Sequence, residues 1–397
     1  MAPELTPKKP TLLVIDDEAG PRDALRVILR PFFNIQTAES ASAAINILNS
    51  QTIDIITLDQ KLPDRQGIDL LQDIKHYHAG VEVIIITGYG SLKSAMEGIR
   101  HGAAGYLLKP FNITELLSLV NQTLEKKQRL DFLRHVIETS TGLWGSEPEC
   151  AQAWKELFAG YRAIGKPASD NPSNTEDTSD LLPILSDLLE AKDRQLLNHC
   201  SRVSFYATLL ANRINLTLAE QKSLALGAFL HDIGKIGPEP YQFADDEIAV
   251  AGESLGNRHH PEQGAKLVLP LGLPTEVGQI IAYHHERWDG SGYPFGLQKE
   301  GIPQLARIVC LAQTFDHLTA ELPARTPLSI DEASKFMAAH AGTYFDPTLT
   351  TLFTQVVQEC KASLPAMAIA TSPIAASTSR TAACPNAMMT GLWSNLC

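Results

Sequence analysis

The segment IDIITLD at residues 53–59 is a short apolar run that ends on a carboxylate. Such a run suits a strand buried on both faces of a parallel sheet. Residues 11–15 (TLLVI), 81–87 (VEVIIIT) and 106–108 (YLL) are runs of the same kind. Amphipathic stretches at residues 41–48 and 68–74 lie between them. This alternation predicts a doubly wound α/β domain over residues 10–125. The carboxyl ends of strands in such a sheet share one edge, where ligands bind. Asp16, Asp17, Asp59, Thr87 and Lys109 each follow a strand, so all five converge there.

These residue types suit acceptance of a phosphoryl group. Asp59 is the nucleophile, and Mg²⁺ held by Asp16, Asp17 and Asp59 neutralises the phosphoryl oxygens. Lys109 supplies a fixed positive charge and Thr87 a hydrogen-bond donor. Pro63 and Gly67 follow Asp59 at four and eight residues. With them, the segment resembles the CheY-like receiver family. The resemblance implies that Asp59 is phosphorylated by a sensor histidine kinase, and that Thr87 and Tyr106 form the switch.

Outward from this domain, apolar residues from Ile113 to Glu138 recur at helical spacing: Leu116, Val120, Leu124, Leu130, Leu133 and Ile137. The spacing predicts one long helix, packed on its own sheet or paired with a second copy in a homodimer. Residues 166–180 (KPASDNPSNTEDTSD) are nearly devoid of apolar side chains and read as a linker. Residues 126–180 thus form a helical connector and linker, and residues 181–358 an all-α domain. The tail from 359 to 397 is rich in small and polar residues and is expected to be disordered.

The all-α half carries His199, His231, Asp232, His260, His284 and His285. Neutral imidazole is a common metal ligand, and a carboxylate can bridge two cations. Thr217 and Glu220 form a capping box that opens the helix running to His231, with Gly234 suited to its C-terminal cap. His284 continues the apolar stripe of Val277, Ile280 and Ile281, and His199 shares a face with Leu196, Val203 and Leu210, so both point inward.

HDIGKIG (residues 231–237) and HHERWDGSGYP (residues 284–294), with His260-Pro261 and Phe345-Asp346-Pro347, resemble the HD-GYP subgroup of the HD phosphohydrolases. The resemblance implies cyclic di-GMP hydrolysis with two transition-metal ions, iron or manganese. One ion would take His199, His231 and Asp232. The other would take Asp232, His260, His284 and His285. Asp232 would bridge them, and Lys235 would stabilise developing charge and contact the substrate. Gly292, Tyr293 and Pro294 would form an interaction motif for GGDEF-type cyclases.

Four positions depart from the pattern. Gln313 stands where the subgroup has a metal-binding Asp, with Asp316 three residues on in a structural position. Leu322 replaces an Arg that grips phosphate, while Arg325 keeps the second basic position. Asp245, Asp246 and Glu247 replace a basic lid. Gln195 replaces a third-metal Glu, so at most two ions are expected. The first three changes predict reduced turnover, and raise the rival reading of an inactive interaction module.

The bulk properties bound these readings. The 397 residues fit two or three domains, and the formal net charge of −12 excludes a chain-wide affinity for nucleic acid. No helix-turn-helix or basic stripe follows the receiver-like segment, so no DNA partner is expected. The six cysteines are scattered, which suits reduced thiols in the cytoplasm. No signal peptide and no apolar run of about 18 residues is seen, so no membrane insertion is expected.

Overall fold

A computed structural model describes residues 9–88, 92–164, 181–237, 258–320 and 326–361. The chain divides into two compact units, Met1–Asp131 and Phe132–Cys397.

The first unit is a five-stranded parallel sheet in the order β2-β1-β3-β4-β5. Its strands are β1 (Thr11–Ile15), β2 (Asn34–Ala38), β3 (Ile55–Leu58), β4 (Glu82–Thr87) and β5 (Gly105–Leu108). Helices α1 (Ala19–Leu29), α2 (Ala41–Ser50), α3 (Gly67–Tyr77), α4 (Leu92–Arg100) and α5 (Ile113–Thr139) alternate with them. The expected double-sided burial is realised. Leu13, Ile15, Ile56, Leu58, Val83 and Ile85 enter one core, while Leu12, Val14, Ile55, Ile84 and Ile86 enter the other. β3 begins at Ile55, two residues later than expected, and the preceding Asp54 carboxylate accepts a hydrogen bond from the Thr11 amide at 2.7 Å.

The long helix expected from Ile113 is α5. Leu116 and Val120 pack in the sheet core, and Leu130, Leu133 and Ile137 are also buried within the chain.

The second unit is helical: α6 (Glu147–Ala163), α7 (Leu181–Lys192), α8 (Arg194–Ala211), α9 (Leu218–Leu230), α10 (His260–Val268), α11 (Thr275–Tyr283), α12 (Gln304–Thr319), α13 (Ile330–Ala339) and α14 (Pro347–Glu359). Its core gathers Val203, Leu210, Leu224, Ile308, Phe315 and Phe353. α6 lies in the span read as a connector, yet it packs inside this unit. Trp154 is 2 % exposed and its indole N–H donates to the Leu267 carbonyl at 2.8 Å. The capping box at Thr217 forms as expected, with the Glu220 amide 3.2 Å from Thr217 Oγ1.

Gly234 is not a helix cap. It lies in a 3₁₀ turn, Ile233–Ile236, and is absent from the left-handed region. A Cβ there would stand 2.0 Å from the His260 carbonyl oxygen, so the glycine admits the start of α10. The linker at 166–180, Asp245, Asp246, Glu247, Leu322, Arg325 and the tail beyond Lys361 lie outside the described residues, while Glu359, read as the first tail residue, ends α14. Among the described residues no helix is long and apolar enough to cross a membrane.

Candidate phosphoacceptor site and metal centre

The carboxyl edge of the sheet brings the five expected groups together. Asp16 and Asp17 follow β1, Asp59 follows β3, Thr87 ends β4 and Lys109 follows β5. The Lys109 ammonium donates to Asp16 Oδ2 at 2.7 Å and to Asp59 Oδ2 at 2.6 Å. Desolvation pulls the Lys109 pKa down, but these two carboxylates outweigh it and raise the pKa above its usual value. Asp16, Asp17 and Asp59 together form a three-carboxylate set able to hold a cation. Gly67 is required by close approach: a Cβ would stand 2.3 Å from the Asp59 carbonyl oxygen. Thr87 is fully buried, and the Tyr106 hydroxyl lies 3.2 Å from Ser94 Oγ on α4.

In the helical unit, Asp232 sits just past α9 and divides its two oxygens between two groups of imidazoles. Oδ2 lies 3.7 Å from His199 Nε2 and 3.5 Å from His231 Nε2. Oδ1 lies 3.2 Å from His260 Nε2 and 3.7 Å from His284 Nε2. The Nε2 atoms also converge: His199 to His231 3.2 Å, His260 to His284 3.2 Å and His260 to His285 3.1 Å. Two ligand atoms each about 2.1 Å from one ion stand roughly 3 to 3.4 Å apart, so the spacing fits two cation sites sharing Asp232.

The imidazoles are oriented for this. His231 Nδ1 donates to the Ala228 carbonyl at 2.7 Å and His284 Nδ1 to the Ile281 carbonyl at 2.8 Å. His199 Nδ1 lies 2.8 Å from Asp316 Oδ2, and Arg202 Nε donates to Asp316 Oδ1 at 2.6 Å. A proton on Nδ1 leaves the Nε2 lone pair facing inward, the form a metal needs. Burial, with His317 stacked beside it, pushes the His199 imidazole down to about 4. Burial likewise pushes His231 down to about 4. Burial opposes the charge on Asp232, yet the Lys235 ammonium beside it holds its carboxyl well below the usual range. Asp232 Oδ1 is buried without a well-directed hydrogen bond, an arrangement a cation satisfies.

Lys235 donates to Asp232 Oδ2 at 2.8 Å and is drawn into the carboxylate set. Gln313 is 2 % exposed; its amide N–H donates to the His284 carbonyl at 3.1 Å, and its Oε1 is a buried acceptor without a hydrogen bond. Asp316 stands behind His199, in the structural position expected of it. Gln195 is exposed at the start of α8.

Comparisons with known proteins match each half of the chain to a family. Residues 12–121 match the response regulator receiver domain family, and residues 183–349 match an HD domain family. The protein named probable cyclic di-GMP phosphodiesterase from Vibrio cholerae is 29% identical over 361 residues, 86% of this chain and 77% of that protein. The cyclic di-GMP phosphodiesterase of Thermotoga maritima is 27% identical over 353 residues, 88% of this chain and 91% of that protein. The cyclic di-GMP phosphodiesterase response regulator RpfG of Xanthomonas campestris is 26% identical, covering 85% of each chain.

A receiver sheet and a helical unit of metal-dependent phosphohydrolase type thus make up the chain. It is a response regulator with an HD domain. A receiver domain implies a phospho-donor partner such as a kinase, and an HD domain implies a divalent-metal site.

Proposed function

We propose that the HD domain hydrolyses cyclic di-GMP under control of the receiver, phosphorylated on Asp59 by a sensor histidine kinase. The observation that carries this reading is the division of Asp232: one oxygen toward His199 and His231, the other toward His260 and His284. In the proposed assignment one iron or manganese ion takes His199, His231 and Asp232. The other takes Asp232, His260, His284 and His285, with Gln313 beside it. Bound cations supply Lewis acidity and neutralise phosphate oxygens. The protein's own contribution is to hold His199 and His231 neutral, to aim His231 and His284 through their Nδ1 bonds, and to keep Asp232 ionised. Lys235 contributes positive charge at Asp232 Oδ2. In the receiver, Asp16, Asp17 and Asp59 would hold Mg²⁺, which would supply charge neutralisation for phosphoryl transfer to Asp59; Lys109 and Thr87 would contact the phosphoryl oxygens, and Tyr106 would complete the switch. Arg325 is assigned to the substrate phosphate, and the half-buried Gly292, Tyr293 and Pro294, next to the exposed Phe295, to contact with GGDEF-type cyclases.

The reading as an inactive interaction module is not favoured. The histidine and aspartate set is assembled in full, and the three relatives matched over most of their length are named phosphodiesterases.

The test is cyclic di-GMP turnover by the full-length protein loaded with Fe²⁺ or Mn²⁺. Wild type should form product and Asp232→Ala should not. A small-molecule phosphodonor should change the wild-type rate and leave that of Asp59→Asn unchanged. No product from metal-loaded wild type overturns the hydrolase reading, and an equal phosphodonor response in Asp59→Asn overturns the control.

A further inference from the structure

The turn at residues 292–294 packs directly on one of the proposed ligands. The Tyr293 ring stacks on the His285 imidazole, with centroids 4.6 Å apart and planes 14° from parallel. The Tyr293 amide donates to the His285 carbonyl at 3.2 Å. Gly292 makes this approach possible: a Cβ would stand 2.3 Å from the Arg287 nitrogen and 2.6 Å from both Glu286 Cα and the His285 carbonyl oxygen.

Glu286, next to His285 and 2 % exposed, fastens the turn from its far side. Its carboxylate accepts from the Phe295 amide at 2.7 Å and the Leu297 amide at 2.9 Å. The loop between is tied as well to the turn between α13 and α14. The Trp288 amide donates to the Tyr344 carbonyl at 3.1 Å and the Asp289 amide to the Thr343 carbonyl at 2.8 Å. The Tyr293 ring is therefore placed by a frame of backbone hydrogen bonds, and it sets the plane of an imidazole whose Nε2 lies 3.1 Å from His260 Nε2.

We propose that Tyr293 is a positioning residue for the cation held by Asp232, His260, His284 and His285, acting through its stack on His285. This rests on the two-cation reading of the centre. It gives the turn a function inside the metal site, separate from any contact with a partner protein. Outer supports of metal ligands typically contribute 10- to 100-fold in affinity. The ring, rather than the hydroxyl, does the positioning, so phenylalanine should substitute and smaller or non-planar side chains should not.

The experiment titrates Co²⁺ into chelator-treated full-length protein, reading the d–d absorption and the ion count at saturation. Wild type, Tyr293→Phe, Tyr293→Ala and Tyr293→Leu are compared, with far-UV circular dichroism confirming the fold of each. Wild type and Tyr293→Phe should take two ions with matching spectra. Tyr293→Ala and Tyr293→Leu should keep the first ion and bind the second on the order of 10- to 100-fold more weakly, with only the second spectral increment altered. Should the alanine variant fail to fold, the leucine and phenylalanine variants decide. Two ions bound at wild-type affinity by the folded alanine or leucine variant overturn the proposal. So does equal weakening of both ions, or a phenylalanine variant that behaves like alanine. A wild type that takes no ion instead refutes the two-cation centre itself.

Discussion

Asp232 Oδ1 and Gln313 Oε1 are the two buried oxygens of the centre that lack a hydrogen bond. A buried acceptor left uncompensated costs about 1 to 3 kcal/mol. A cation resolves that cost for Asp232. In the proposed assignment Gln313 would offer a neutral oxygen where a carboxylate would add charge, and would hold an ion less firmly. Gln313→Asp gives up the hydrogen bond to the His284 carbonyl but adds a negative charge. It should tighten the ion at His260, His284 and His285 about tenfold, equivalent to about 1.4 kcal/mol, in a competition titration with a chromogenic chelator. Unchanged or weaker retention would place Gln313 outside the ion's reach. The imidazoles also set a pH dependence. His199 and His231 titrate near 4 in the folded protein against 6.5 in an unfolded chain. Between those values the unfolded chain binds protons that the folded one refuses, so metal-free protein loses stability as pH falls from 6.5 toward 4. Above pH 6.5 this contribution is complete. Asp316 is held below its usual range, against the cost of burial, by Arg202 and His199, so its contribution is lost only at lower pH. Thermal melts of chelator-treated protein should show a lower midpoint at pH 5 than at pH 7.5; an equal or higher midpoint would contradict the buried, neutral state of the imidazoles.

Among the elements, those with a strong hydrophobic period were legible in sequence, and those that depend on distant partners were not. The runs at 11–15 and 81–87 and the helix from Ile113 appear almost as read. β2, with sequence NIQTA, is an edge strand of mostly polar, half-exposed residues, so no apolar run announces it. α6 looked like connector because its burial depends on Leu267, more than a hundred residues away. The position of Asp316 behind His199 is likewise invisible to local spacing, since 117 residues separate the pair. Within the centre, the six histidine and aspartate positions read from sequence, His199, His231, Asp232, His260, His284 and His285, come together in the two groups that share Asp232. The stack of Tyr293 on His285 was missed although the two residues sit in one motif, and Arg202 and His317 beside His199 were missed as well. α6 makes a direct prediction. Trp154→Ala removes a buried indole and leaves the Leu267 carbonyl without its donor, so it should destabilise the helical unit by about 3 to 5 kcal/mol in urea unfolding. A loss below about 1 kcal/mol would mean that α6 is a detachable connector after all.

At the scale of the whole molecule, a chain of net charge −12 handles an anionic substrate only through local positive charge. The described cations nearest the centre are already engaged, Arg202 with Asp316 and Lys235 with Asp232. Bound metal ions are therefore the principal source of positive potential there, and the account depends on their presence and number. The most direct measurement is the metal content of full-length protein, purified from cells supplied with iron and manganese and analysed by inductively coupled plasma mass spectrometry beside Asp232→Ala. The account predicts two transition-metal ions per wild-type chain and none in the folded variant, because one carboxylate serves both sites. A folded wild type with fewer than two ions, or an Asp232→Ala variant that keeps its full complement, would contradict it.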